Sequence, residues 1–355
     1  MNPSESYFKG RGAQVNPNNK FFSSQYVQEH IEGLDEEFLG TEKTQFIATH
    51  PKSIISKSNS PDLRFERSIN PYQGCEHGCI YCYARNSHEY WGFSAGLDFE
   101  RKILVKHNAA QLLEHEFRKR SYQPDLIMLS GNTDCYQPIE RKLGITRSIL
   151  ELMVKYRHPV SIISKNVLMR RDFDLLAELA ALNLVSVAVT INSLREEVRQ
   201  KMEPRTATAA ARLKLIEGLT RIGVPVMLMM APIVPGINSD EIAELIRSAA
   251  DAGAVTASYT IVRLNGQIGD IFKDWLYQNY PDRAEKVLHW IEACHGGKIN
   301  DSDFGRRIRG DGNMAESLQR LFKLSVQKYM NGRCLPALRR ELFSLPDAGT
   351  QLGLF

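Results

Sequence analysis

The sequence predicts an α/β fold on parallel strands, and two observations predict it. Apolar runs of strand length alternate with segments of helical period through the middle of the chain. Such alternation requires parallel strands joined by right-handed crossovers, which leaves an open (β/α)6 barrel and a doubly wound sheet as candidates. With 355 residues, 43% hydrophobic and 24% charged, the chain is long and apolar enough to bury one large core with appendages.

Taken in order, residues 1–55 carry Lys9-Gly10-Arg11-Gly12-Ala13 and Asn16-Pro17-Asn18-Asn19, and read as an N-terminal extended arm. Flexible linker is the main reading of that arm, with phosphate contact through Gly-Arg-Gly as the alternative. Residues 56–297 hold the α/β core. Its first strand enters Cys75, and the others are expected at 126–129, 160–163, 185–191, 224–230 and 255–262, giving six βα units. Ile145, Ile149, Leu152, Met153 and Tyr156 recur at helical spacing, and further helices are expected over 173–179, 213–219 and 242–246. Asn238 ahead of Ser239-Asp240-Glu241 is predicted to cap a helix that starts with acids. Residues 298–355, with Phe304, Leu318, Leu321, Phe322 and Tyr329, read as a C-terminal helical cap.

Composition excludes several classes. The first 22 residues have no apolar segment of signal-peptide length, and no later run approaches a membrane span, so a soluble protein with no membrane partner is expected. Six cysteines without a framework of close pairs argue against a disulfide-stapled secreted protein. A formal charge of +4 is too mild to announce a nucleic-acid binder. The local basic groups at Arg118 to Arg120, Arg170-Arg171, Arg306-Arg307 with Arg309, and Arg339-Arg340 read first as solvated helix faces.

The chemistry is concentrated in Cys75-Glu76-His77-Gly78-Cys79-Ile80-Tyr81-Cys82. Three thiolates on one loop can hold a four-iron cluster and leave one iron open, whereas an electron-transfer cluster is closed by four cysteines. Zinc completed by His77 or His88 is the competing reading, and it lacks the usual paired spacing. Cys294 and Cys334 stand alone, so no second cluster is indicated.

With KSIISKSNSPDL at 52–63 and SINPYQGCEHGCIYCYAR at 68–85, this loop resembles the radical S-adenosylmethionine (SAM) enzymes, in particular their spore photoproduct lyase-like branch. The resemblance implies a partial (β/α)6 TIM-type barrel with an N-terminal arm and a C-terminal helical extension. It implies a 4Fe-4S cluster on Cys75, Cys79 and Cys82, SAM on the fourth iron, and a reductant such as flavodoxin or ferredoxin. Reductive SAM cleavage would then give a 5'-deoxyadenosyl radical that takes a hydrogen atom from substrate. An oxygen-sensitive cluster also implies reducing, cytoplasmic surroundings. The segment 89–103, with Asp98-Phe99-Glu100, is similar to the same branch and is expected to cover the barrel mouth.

Reactive groups in such folds gather at the carboxyl ends of the strands. Tyr81 borders adenine in the resemblance, with support of the loop as its other reading. Ser130, Gly131, Asn132, Thr133 and Asp134 follow the second strand, where the family holds the SAM amino group; TDxYQPxE matches the branch, and a plain turn is the alternative. Lys165 ends the third strand, Thr190 and Asn192 the fourth, as contacts to carboxylate or ribose. Glu203-Pro204-Arg205 with Arg212 matches an EPR...R pattern, so Arg205 either clamps the SAM carboxylate or pairs with Glu203. The turn 231–238 can pass beneath adenine, and Arg263 through Gly266 are candidates for substrate contact.

In spore photoproduct lyase a cysteine near the second strand end returns a hydrogen atom to the product. Gly131 stands at about that place here, and Cys135 a few residues on is the candidate donor, against the reading of a buried free cysteine. DNA or another nucleic acid is the leading substrate class. A peptide, protein or small metabolite comes second, and a zinc or electron-carrier module without catalysis third.

Overall fold

Strands form where β-branched and long aliphatic residues run together, and here those runs align into one buried row. A computed structural model of the chain describes residues 8–21, 43–63 and 65–346, so parts of the expected arm and C-terminal cap fall outside the described residues. The strands are β1 (Gln45–Thr49), β2 (Ile55–Lys57), β3 (Arg67–Ile69), β4 (Tyr72–Gln73) and β5 (Lys102–Lys106), followed by β6 (Ile127–Leu129), β7 (Val160–Ser164), β8 (Val185–Thr190), β9 (Val226–Ile233) and β10 (Thr256–Ile261). The main sheet runs β10-β9-β8-β7-β6-β3-β2, all parallel except the antiparallel edge strand β2. Its parallel neighbours follow chain order with no reversal. A doubly wound sheet reverses at a switch point, so this order selects the open (β/α)6 arrangement.

Leu129, Ile162, Val187 and Val226 are register partners across four strands, and each is at most 1% exposed. Each such side chain contributes about 1.5–3 kcal/mol by leaving water. The helices Ile145–Lys155, Phe173–Ala181, Ala209–Arg221 and Ile242–Asp251 return the chain between strands and bury Ile149, Leu176, Leu215 and Leu245. Among the described residues no helix is long and apolar enough to cross a membrane.

Several boundaries differ from expectation, each for a physical reason. The first barrel strand ends at Ile69; the chain then enters a second sheet, β1-β5-β4, before it reaches Cys75. That sheet takes Gln45–Thr49 out of the expected arm. Strand β9 runs on through Pro232, because the pairing with β10 shifts between Tyr259 and Ile261, where a missing N–H is tolerated. Asn238 does not cap a helix. Its Oδ1 accepts from Val234 N at 2.7 Å, and its Nδ2 donates to the Asn192 carbonyl at 2.7 Å and the Pro232 carbonyl at 3.1 Å, which ties the β9 turn to the β8 tip.

The expected C-terminal helix is Gly312–Tyr329. It packs beside the Ile242–Asp251 helix and on β10, where Phe322 lies 4.5 Å from the Tyr259 ring. Leu318 and Phe322 are buried, whereas Leu321 and Phe304 are exposed. Residues 8–21 are held rather than loose: Leu97 N donates to the Val15 carbonyl, Ser94 Oγ to the Pro17 carbonyl, and Asn19 Nδ2 to the carbonyls of Glu89 and Phe93. The segment 89–103 is therefore paired with the arm.

Candidate active site

The cysteine loop is fixed by its backbone from three sides. Cys75 N donates to the Phe99 carbonyl, Ile80 N to Met202, and Arg205 N to the His77 carbonyl. Gln137 reaches in from the β6 side, accepting from Glu76 N at 3.0 Å and donating to the Gly74 carbonyl at 3.2 Å. Gly78 holds φ +69°, a left-handed turn that glycine enters without strain. The three thiols are unbridged; Cys75 and Cys79 are buried and Cys82 is half-buried. The apolar groups around Cys75 and around Cys79 meet at Cys82.

Burial pushes all three thiols above the ordinary thiol range, and Asp134 adds to it at Cys75 and Glu203 at Cys79. Metal coordination is what deprotonates such thiols outright. Among the described residues no three His, Cys, Asp or Glu side chains converge tightly enough to hold a single ion. A multi-iron group asks something else, a separate iron for each thiolate. Three unbridged thiols on one short loop are a donor set of the kind a cluster with one open iron takes.

Beside Cys79 lies a buried polar group drawn from the cysteine loop, the tips of β7 and β8, and the segment 203–212. The Tyr81 hydroxyl donates to Glu203 and accepts from Asn192 Nδ2 at 3.2 Å. Glu203 pairs with Arg212 Nη2 at 2.8 Å, both essentially unexposed. Arg212 also donates to the Thr190 carbonyl at 2.8 Å and to Thr206 Oγ1 at 2.6 Å. Lys165 Nζ stands 5.9 Å from the Tyr81 ring centre. Burial is the largest influence on Lys165 and opposes its charge, but Glu203 together with Cys79 and Cys82 outweighs it and holds the ammonium above the ordinary lysine value. Burial likewise opposes ionised Glu203, and Arg212 with Lys165 outweigh that, so its carboxyl sits below the usual range. Thr190 Oγ1 is buried with no hydrogen-bond partner.

The β6 tip is mostly engaged in bracing. Asp134 accepts from Ser164 Oγ at 2.8 Å and Lys165 N at 2.9 Å, and lies 3.4 Å from His77 Nδ1. Asn132 N and Thr133 N donate to Asn70 Oδ1, and Thr133 Oγ1 donates to the Tyr72 carbonyl. Ser130, at φ +70°, accepts from Cys135 N at 2.7 Å. The Gly131 carbonyl accepts from the Tyr83 hydroxyl at 2.6 Å.

Of the residues singled out in the sequence, Tyr81, Lys165, Thr190 and Asn192 come together next to Cys79. Arg205 stands apart, half-buried and 3.5 Å from Glu76 Oε1, while Arg212 takes Glu203. Cys135 is fully buried in the main apolar core, and the Thr146 hydroxyl donates to its carbonyl at 2.6 Å. Sequence reasoning missed the bracing roles of Gln137, Arg85 and Glu241, and read Asn238 as a helix cap. Glu241 accepts from Leu194 N and Ser193 Oγ and so fixes the β8 exit. The spacing of EPR...R was the available sign for Glu203 with Arg212; nothing in periodicity marks the others.

Residues 69–249 match the Radical SAM superfamily. The chain belongs to that family and is a radical SAM enzyme; the family's cofactors are a 4Fe-4S cluster and SAM. An uncharacterized protein of Mycobacterium tuberculosis (strain H37Rv) is 35% identical over 238 residues, 66% of this chain and 70% of that one. An uncharacterized protein of Methanocaldococcus jannaschii is 27% identical over 245 residues, 69% and 87% of the two chains. Among solved structures, spore photoproduct lyase complexed with dinucleoside spore photoproduct is similar at a TM-score of 0.60 and 16% identity, covering 81% of this chain and 80% of that chain. The last is a likeness of fold.

Proposed function

We propose that Cys75, Cys79 and Cys82 carry the cluster, that SAM binds against Tyr81, Lys165, Thr190 and Asn192, and that an anionic substrate of the nucleic-acid class enters beside Arg263. When bound and reduced, the cluster and SAM supply a 5'-deoxyadenosyl radical that abstracts hydrogen from substrate. The carrying observation is that three unbridged thiols, two buried and one half-buried, lie next to a polar group with one orphaned hydroxyl, Thr190 Oγ1.

The chain's own residues divide the work. Tyr81, anchored through its hydroxyl by Glu203, presents a fixed ring face that a nucleobase can stack on. Lys165, charged and without a hydrogen bond from Nζ among the described residues, meets the SAM carboxylate. Thr190 Oγ1 and Asn192 serve the ribose. Asp134 orients the loop through Lys165 N and Ser164 rather than by ligand contact, and Arg205 stays with Glu76.

The substrate class is supported by the fold shared with spore photoproduct lyase and by Arg263, a half-buried guanidinium past the β10 tip whose one hydrogen bond among the described residues is 3.4 Å long, to the Asp301 carbonyl. The lyase's own hydrogen-return chemistry is not carried over. A Cβ built at Gly131 would lie 2.7 Å from Ser68 Cβ, so a cysteine does not fit there, and Cys135 is enclosed in the core. A second reading, a peptide or small metabolite, is favoured by one observation: Arg306, Arg307, Arg339 and Arg340 all pair with carboxylates.

Protein reconstituted without oxygen and given dithionite and SAM is expected to release 5'-deoxyadenosine. Cys79→Ala should lose both the cluster absorbance and that release; normal SAM cleavage by Cys79→Ala would overturn the assignment. Deuterium from a labelled oligonucleotide appearing in 5'-deoxyadenosine would fix the substrate class, and deuterium from a peptide instead would select the second reading.

A further inference from the structure

Against the cysteine loop, the arm makes contacts too close to be incidental. Gly12 N and Ala13 N donate to the two carboxylate oxygens of Glu100, at 3.1 and 2.8 Å. Glu100 is fully buried and pairs with Arg85 Nη2 at 2.5 Å. Arg85, equally buried, passes the connection on: its Nε donates to the Cys79 carbonyl at 2.9 Å and its Nη1 to the carbonyls of Ala95 and Gly96. Arg11 closes the same knot by donating to the Glu100 carbonyl at 2.9 Å. Ala13 is 0% exposed and shares an apolar group with Cys79, Ile80 and Tyr81.

The steric fit is as tight as the bonding. A Cβ on Gly12 would fall 1.7 Å from the Gly78 carbonyl oxygen, inside the cysteine loop, and a Cβ on Gly78 would fall 2.9 Å from Glu100 Oε2. Further along, a Cβ on Gly96 would fall 1.9 Å from the Val15 carbonyl oxygen. Backbone meets backbone at Gly12 and Gly96, so no side-chain rotation relieves either clash.

We propose that residues 11–15 form a strap that holds the cysteine loop in its cluster-binding shape, with Gly12 and Glu100 as positioning residues for the cluster. The proposal rests on the cluster assignment above. The strap supplies two of the donors that satisfy the buried Glu100 carboxylate; Glu100 holds Arg85, and Arg85 holds the carbonyl of the middle cysteine. A loop carrying three thiolates must keep them apart and oriented while no metal is bound, and it must keep water from the cluster afterwards. Outer contacts of this kind typically change metal affinity by about 10–100-fold.

The test compares wild type, Gly12→Ala, Glu100→Gln and a control, Lys9→Ala, whose side chain is exposed. Each is reconstituted without oxygen, its iron and sulfide per chain are measured, and the loss of visible absorbance on adding an iron chelator is timed. Gly12→Ala should lose its cluster at least roughly ten-fold faster than wild type, with Glu100→Gln in between and Lys9→Ala unchanged. Urea midpoints of the metal-free proteins show whether the fold survives, and if Gly12→Ala does not fold, Glu100→Gln, which keeps the backbone fit, decides. Wild-type bleaching rates in Gly12→Ala and Glu100→Gln would overturn the strap while leaving the cluster assignment standing. A wild type that takes up no cluster would overturn both.

Discussion

Replacing Glu203 with glutamine is expected to destabilise the protein by several kcal/mol, because it leaves the buried Arg212 and the half-buried Lys165 without a counter-charge. Glu203 and Arg212 are 0% and 1% exposed and 2.8 Å apart, and Lys165 is close enough for Glu203 to dominate the rise in its proton affinity. Breaking one side of a buried pair costs about 3–5 kcal/mol, whereas replacing both members by apolar groups is often near neutral. The comparison is therefore between Glu203→Gln and the double variant Glu203→Gln/Arg212→Met, measured by urea unfolding of metal-free protein. Arg212 also donates to Thr190, Thr206 and Ala207, so the double variant leaves those acceptors open and will not recover fully. A coupling of about 2 kcal/mol between the two sites is expected. Because the folded Glu203 pKa is held below its unfolded value, this contribution is present above the ordinary carboxylate pKa of about 4.3 and is lost as pH falls through the folded value. The gap between wild type and Glu203→Gln should narrow in acid. A loss under about 1 kcal/mol at neutral pH would refute the idea that the pair is buried and unscreened.

Two buried histidines, His88 and His158, are lowered by burial to about 4, so the unfolded chain binds protons between roughly pH 6.5 and 4 that the fold does not. Stability should therefore fall as pH drops through that window by about 3 kcal/mol per histidine, and urea midpoints of His158→Phe should show a flatter pH dependence than wild type. Gly131→Cys should be destabilised by about 1–3 kcal/mol through its contact with Ser68, and Ser68→Gly in the same chain should recover most of that loss, as read from urea midpoints. Cys135→Ala should lower stability by about 1 kcal/mol and leave 5'-deoxyadenosine release intact, since the thiol lies in the core; abolished release would return it to the site. If the substrate is a nucleic acid, Arg263→Gln should reduce the slope of log affinity against log salt by about one contact, measured by fluorescence anisotropy with an oligonucleotide.

The barrel strands were legible because a strand buried on both faces reads as a continuous apolar run, and 160–163, 185–191 and 255–262 all fell on strands. The cysteine loop was legible because its three thiols are local in sequence. Asn238 was misread because a capping residue and a turn brace have the same local pattern, and only the fold brings Asn192 within reach of its amide. The arm was misread for a related reason: 11–15 has no periodicity, and its order comes from Glu100, a partner far along the chain. Arg205 and Arg212 are both in the EPR...R pattern, and helix phase selected between them. Arg212 lies on the buried face of Ala209–Arg221, while Arg205 precedes the helix and faces Glu76.

Polar residues at strand tips are a weak guide to ligand contact until their partners are counted. Ser130, Asn132, Thr133 and Asp134 looked like a binding set, yet each already has a protein partner: Cys135 N for Ser130 Oγ, Asn70 Oδ1 for Asn132 N, the Tyr72 carbonyl for Thr133 Oγ1, and Ser164 Oγ with Lys165 N for Asp134. A buried group that already has its hydrogen bonds gains little from a ligand and loses the brace if it turns to one. Thr190 Oγ1 has none, and an unpaired buried hydroxyl costs about 1–3 kcal/mol that a ligand's hydroxyl or amine recovers. Lys165 is in the same position with respect to charge: Glu203 with Cys79 and Cys82 favours its ammonium against burial, but that ammonium makes no hydrogen bond among the described residues. The two incomplete groups lie at the tips of adjacent strands, β7 and β8, on the side of the sheet where the cysteine loop arrives. The braced residues fix the shape of the mouth, and the unsatisfied ones are those to which we assign the SAM contacts in the proposed function.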